Sequence, residues 1–169
     1  MDMIRTEEER PWLRKGAALG VFAGMTAGAG LLGALTMRPS SDDWYDGLRK
    51  PRLNPPKGVF GPVWTGLYAL IAYSGYRVWR KPRSKQRRAA LALWGTQLVL
   101  NAAWTPLFFG MRRPAAALVD LVGLLGTAIA YTAVASKVDE PAAVMVAPYL
   151  GWLGFAGYLN EEIVRLNRD

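Results

Sequence analysis

"GAALGVFAGMTAGAGLLGALTM" occupies residues 16–37 and carries no charged side chain. A helix rises about 1.5 Å per residue, so this stretch reaches roughly 30 Å, the thickness of a bilayer's hydrocarbon core. Soluble amphipathic helices show a charged face, and this one has none. Arg14 and Lys15 precede it, as they would a signal peptide. It is nevertheless longer than an h-region of about 7 to 15 residues. It reads as a retained membrane helix.

Four further apolar segments come after it, at about Val59–Tyr76, Ala89–Gly110, Pro114–Ser136 and Pro141–Leu159. Pro114 and Pro141 stand at helix starts, where a missing N–H costs nothing. The pattern predicts an all-α integral membrane protein built as a five-transmembrane-helix bundle. The expected helices are about 16–37, 59–79, 89–110, 114–136 and 141–164. A polar tail (1–15), a long polar connection (38–58) and a short C-terminal tail (166–169) complete a single domain over 16–165.

Composition narrows the chemistry. The 169 residues include no cysteine and no histidine. Disulfides, a thiol nucleophile and a histidine base are thereby excluded, as are the two commonest protein ligands of haem iron. No metal site is expected. The net charge is +8, and "RVWRKPRSKQRR" (77–88) alone holds seven basic residues. These cations lie in the gaps between apolar segments, which fits anionic headgroups rather than nucleic acid. Lys and Arg number 12 on the N-terminal side and 9 on the other. That bias points to a cytoplasmic N-terminus.

Small and polar residues suggest how the helices meet. Gly16, Gly20, Gly24 and Gly28 form a groove on the first helix, expected to pack against neighbouring helices in preference to a dimer partner. Gly151, Gly154 and Gly157 give a second stripe, and Ala92 with Thr96 a weaker one. Pro106 and Pro148 are expected to kink the third and fifth helices. Gln97, Asn101 and Trp104 share one face of the third helix and are expected to look inward. Asp120 is the one ionisable residue deep in a span. It is either a site residue or an interhelical hydrogen-bond or ion-pair partner of an arginine. Trp12 and Trp79 suit the membrane interface. Trp64, Trp104 and Trp152 lie deeper, with Trp44 in the long connection, and such rings around a cavity suit a flat apolar ligand.

"WYDGLRKPRLNPPKGVFGPVWTGLY" (44–68), "NAAWTPLFFGMRRPAAALVD" (101–120) and "PYLGWLGFAGYLN" (148–160) resemble the translocator protein family, also called the tryptophan-rich sensory or peripheral-type benzodiazepine receptor family. The resemblance covers about 15–165. It implies a five-helix bundle, commonly a homodimer, whose cavity opens toward the long connection acting as a lid. The prolines at 51–62 would stiffen that lid, with Pro62 starting the second helix. The ligands it implies are tetrapyrroles such as protoporphyrin IX or haem, with no cofactor required. The binding positions that carry over are Trp44, Phe60, Trp64, Tyr68, Asn101, Trp104, Trp152, Ala156 and Leu159. Some bacterial members are reported to degrade protoporphyrin in light and oxygen through two tryptophans, here Trp44 and Trp64. A purely structural or regulatory membrane partner is the third reading. The animal family's sterol stretch has Tyr after "LN". Here Glu161 stands at that position, and the two acids Glu161 and Glu162 argue against a sterol surface, while the character of the loops suits a bacterial membrane.

Overall fold

The computed structural model describes residues 11–36 and 39–168, and among them it is all helix, turn and loop. Five helices of 20 residues or more make up the body: α1 (Pro11–Thr36), α3 (Lys57–Trp79), α4 (Lys85–Thr105), α5 (Pro114–Ala135) and α7 (Ala147–Leu166). Two short helices, α2 (Pro39–Gly47) and α6 (Glu140–Val144), lie in the connections. Three described stretches, Leu13–Gly33, Pro114–Ala135 and Glu140–Leu166, are long and apolar enough to cross a membrane. α3 and α4 match them in length but are more polar, α4 opening on Lys85, Arg87 and Arg88. The side chain of Trp12, expected at the interface, lies outside the described residues.

Several boundaries differ from expectation, each for a backbone reason. α1 begins earlier than expected, at Pro11, a residue pre-set for a first helical position. α3 starts at Lys57, so Pro62 lies inside it rather than at its start. Pro62 forfeits the one backbone bond it would have made to the Gly58 carbonyl, and the helix runs on through it. Pro106 does not simply bend α4. It opens a π-helical turn, Pro106–Gly110, closed by the Met111 N–H donating to the Pro106 carbonyl at 2.8 Å. Pro148 kinks nothing. The expected fifth helix is broken at residues 145–146 into α6 and α7, and Pro148 sits in the first turn of α7, where its missing N–H has no intrahelical partner to lose. The long connection also contains α2.

α1 docks on α3 and α4, α4 on α5, and α5 on α7. The docking face of α1 is Phe22, Thr26, Ala29 and Gly33, spaced i, i+4, i+7 and i+11, and all are buried. This corrects the expected glycine groove. A Cβ added at Gly16, Gly20, Gly24 or Gly28 would meet nothing within 4 Å, so those glycines face away from the bundle. Gly151, Gly154 and Gly157 are equally open, and Ala92 and Thr96 are exposed. The close approaches fall elsewhere. A Cβ at Gly30 would sit 2.6 Å from the Tyr68 ring, and one at Gly33 would sit 2.9 Å from the Thr105 hydroxyl.

Gly75 is the tightest of these sites. Trp94 lies across it, donating its indole N–H to the Ile71 carbonyl at 2.9 Å, and Phe22 meets Trp94 edge-on at 4.8 Å. A Cβ there would come within 2.5 Å of the Trp94 Nε1. Gly75→Ala should therefore displace Trp94 and lower stability by about 1–3 kcal/mol. Gly24→Ala should be neutral or slightly stabilising, since Ala favours helix. Apparent melting temperatures of the two variants in detergent test the contrast.

The end of the bundle away from α2 is tied by polar groups. Ser74 donates to the Ala142 carbonyl at 2.6 Å. Its single proton is thus used, so the Tyr131 phenol donates to Ser74 Oγ, also at 2.6 Å. Asp139, 3 % exposed, receives Arg77 at 3.1 Å and Lys81 at 3.4 Å. Burial pushes the Asp139 carboxyl up, but the Arg77 hydrogen bond and the charges of Arg77 and Lys81 outweigh it and hold the group below its usual 3.8. A lowered carboxylate contributes stability above its ordinary value and loses it as pH falls through the lowered one. Asp139→Asn should cost about 1–3 kcal/mol at neutral pH. The gap between variant and wild type should close as pH drops below about 4, which melting curves across that range would show.

Candidate functional site

Between α1, α3, α4 and α7 the bundle encloses a cavity of about 850 Å³, with Leu121 and Leu124 of α5 at its floor. Its size lies within the range of small-molecule pockets, roughly 300–1,000 Å³. The rim is partly open along α1 and α3, where exposed Ala23, Ala27, Thr65 and Ala69 contribute. Small residues on these helices hold the wall back and leave the space.

Of the residues expected from sequence, eight line the cavity: Phe60, Trp64, Tyr68, Asn101, Trp104, Trp152, Ala156 and Leu159. The rings form a connected wall. Trp64 lies 5.2 Å from Tyr68 and meets Trp152 edge-on at 6.4 Å, and Phe60 meets Trp152 at 5.9 Å. Trp44 is not on this wall. It packs on Phe108 at 5.7 Å, and Phe108 supplies the cavity surface in its place. The reason is α2: as a helix rather than an extended loop, it turns the Trp44 ring onto the lower cluster of Phe108, Ala117 and Ile163.

Two polar tracks enter the apolar wall. In the first, Tyr68 donates to Asn101 Oδ1 at 2.9 Å, and Asn101 Nδ2 donates to the Tyr149 hydroxyl at 3.2 Å. Tyr149 then donates to Gln97 Oε1 at 2.9 Å. In the second, Trp104 donates to Asn160 Oδ1 at 3.1 Å, while Asn160 Nδ2 caps the Pro114 carbonyl at 2.8 Å. Sequence spacing put Gln97, Asn101 and Trp104 on one inward face, and there they lie. Tyr149, Asn160 and Thr26 were not singled out. Tyr149 and Asn160 sit in a resembling motif, and a polar residue in an apolar span was the available signal. Asp120 does not line the cavity, and its buried Oδ2 has no hydrogen-bond partner among the described residues.

The lid side is fastened at several points. Asn167, just past α7, accepts from the Arg49 N–H and donates to the Arg49 carbonyl, both at 3.0 Å. The Tyr45 hydroxyl donates to Asn54 Oδ1 at 3.0 Å. Lys57, at the cavity mouth, pairs with Asp46 at 2.9 Å. Burial raises the Tyr45 phenol above its usual value, the Asn54 bond offsetting part of that.

Membrane-length apolar helices packed around an aromatic-lined cavity define, among the described residues, an all-helical membrane protein. A sequence profile of the TspO/MBR family matches residues 21–166. The chain is 42% identical over 161 residues to the translocator protein of Bos taurus, covering 94% of this chain and 92% of that one. It is 44% identical over 127 residues to the tryptophan-rich sensory protein of Cereibacter sphaeroides, covering 75% and 78%. A tryptophan-rich protein of Chlorobaculum tepidum is 38% identical over 155 residues, covering 88% and 95%. The chain belongs to the TspO/MBR family.

Asn101→Ala should strand the Tyr68 proton and remove the donor to Tyr149, costing about 1–3 kcal/mol. Trp104→Phe removes one N–H and should cost less, about 1 kcal/mol. Denaturation of both in a mild detergent would rank them, and equal losses would refute the order.

Proposed function

We propose that this protein is a membrane receptor of transporter-like build that binds porphyrins and related tetrapyrroles in the bundle cavity, in a sensory or regulatory role. The observation that carries the reading is the cavity wall. Trp64, Tyr68, Trp104, Trp152 and Phe60 present broad ring faces, and most of the lining is apolar, with the two hydrogen-bonded tracks among its few polar groups. Such a wall suits a large planar apolar molecule with a few polar groups. The names of the relatives, translocator and sensory protein, agree with a ligand-handling role. On this reading all five long helices cross a membrane, and the chain pairs as a homodimer. The open glycines of α1 permit close helix contact.

A sterol surface near Glu161 is disfavoured, because Arg165 is held by Glu162 at 2.7 Å. The second reading is light- and oxygen-dependent porphyrin degradation through Trp64 and Trp44. Trp64 on the wall favours it: an indole held beside an excited porphyrin exchanges an electron readily when both are positioned. Trp44 would then act across Phe108.

Titration of the purified protein with protoporphyrin IX in the dark, read by tryptophan quenching against a free-tryptophan control, tests the proposal. Saturable quenching is expected, weakened severalfold by Trp64→Phe and Asn101→Ala. Linear quenching blind to both substitutions would mean that porphyrin merely dissolves in the micelle. Illumination of the same samples tests turnover, which Trp64→Phe should abolish if it occurs.

A further inference from the structure

The turn between α3 and α4 concentrates cations that the cavity does not use. Residues 77–88 contain seven basic side chains and no acid. Four of the seven already have partners. Arg77 and Lys81 hold Asp139. Arg80 lies over the Tyr76 ring at 5.6 Å. Arg87 turns back and donates from Nε to the Trp79 carbonyl at 2.9 Å, with a second bond from its Nη. Arg83, Lys85 and Arg88 remain. All three are exposed, and none has an acidic partner among the described residues.

These three are not scattered. With Ser84 and Arg87 they line one shallow concavity of about 350 Å³. The hairpin is rigid where it matters. Arg87 clamps the end of α3, and the Ser84 hydroxyl caps α4 by accepting from the Arg87 N–H at 3.0 Å. The cations are therefore presented on a preformed base instead of a floppy loop, which lowers the ordering cost of gathering them round an anion.

What lies beside them points to the partner. The apolar run of α3 ends at Trp79, and that of α4 begins at Ala89. The concavity thus sits at the level where a bilayer changes from hydrocarbon to headgroups. Tyr73 and Trp79 are exposed on the adjoining turns of α3, and Tyr76 lies between them, tilted to Tyr73 at 6.1 Å and stacked on Trp79 at 6.3 Å. Aromatic rings at this depth favour the interface. A soluble anion would use the cations and gain nothing from the rings. A phospholipid uses both, with its phosphate among the cations and its acyl chains along Tyr73 and Trp79.

We propose that Arg83, Lys85 and Arg88 form a docking site for the headgroup of an anionic phospholipid, distinct from the bundle cavity. Each cation near an anionic leaflet contributes roughly fivefold in affinity, so neutralising three weakens binding by about a hundredfold. Exposed ion contacts are screened, so binding also weakens as salt rises.

The test is a native mass-spectrometric titration of the delipidated full-length protein in neutral detergent with phosphatidylglycerol, using phosphatidylcholine as reference. The site variant is Arg83→Gln, Lys85→Gln and Arg88→Gln together. The control, Arg52→Gln, Arg113→Gln and Arg168→Gln, removes the same charge from exposed positions at the other end of the bundle. The proposal expects the tightest phosphatidylglycerol to be lost about a hundredfold in the site variant only, with phosphatidylcholine unaffected in all three proteins. Equal loss in both variants would reduce the effect to net charge and overturn it. Displacement of the lipid by inorganic pyrophosphate at the lipid's own concentration would mark a soluble-anion site and overturn it equally. Unchanged melting temperature in the site variant confirms that the comparison is between folded proteins.

Discussion

A side-chain amide in an apolar bundle keeps its place only when protein groups take up its hydrogen bonds. Asn101 meets that demand by joining three helices. Its oxygen receives Tyr68 of α3, and its nitrogen reaches Tyr149 of α7, whose own proton passes to Gln97 one turn back on α4. Once the two hydroxyls are fixed, their rings are fixed as well. Tyr68 then sets the position of Trp64 on one side and fills the notch left by Gly30 on the other. Tyr149 supports Trp64 from behind at 6.3 Å. The aromatic wall of the cavity is therefore held by polar contacts that lie at its back.

The two ends of the bundle are fastened differently. At the α2 end, rings do most of the packing: Trp104 stacks on Phe108 at 4.9 Å, with Tyr45 and Trp44 outside. At the other end the contacts are a buried ion pair and the Ser74 pair. Directional polar bonds at that end fix the helices relative to one another, and the ring-on-ring packing near α2 is less directional. The polar ties that the α2 end does have, Asn167 with Arg49 and Lys57 with Asp46, are exposed, so water competes for them.

Much of this was legible in the chain. Long apolar runs with cations in the gaps gave the helices, and a polar spacing of i, i+4 and i+7 gave the inner face of α4. The aromatic motifs placed eight wall residues on the correct helices. Failures came where identity alone does not fix direction. Four regularly spaced glycines invited a packing face, yet α1 docks through Phe22, Thr26, Ala29 and Gly33, because burial of the larger apolar surface at Phe22 outweighs close backbone approach. Proline alone did not say what the backbone does: Pro106 opens a π-turn, Pro148 sits in the first turn of a fresh helix, and Pro62 lies inside an unbroken α3. Trp44 lies against Phe108 and off the cavity wall, and nothing in "PSSDDWYDG" announces a helix strongly enough to show which way its ring turns.

The π-helical turn makes residue count part of the cavity's construction. A π-turn closes through i+5 where an α-turn closes through i+4, so the chain beyond it is rotated by roughly 100° relative to an uninterrupted helix. Phe108 and Phe109 both reach the cavity from this turn. Loss of a single residue here would leave nearly the same composition and nearly the same hydropathy, yet it would restore the α-register and swing one ring off the wall. An exchange of one apolar residue for another leaves this register intact. Between Thr105 and Met111 the length of the chain matters before the identity of its residues.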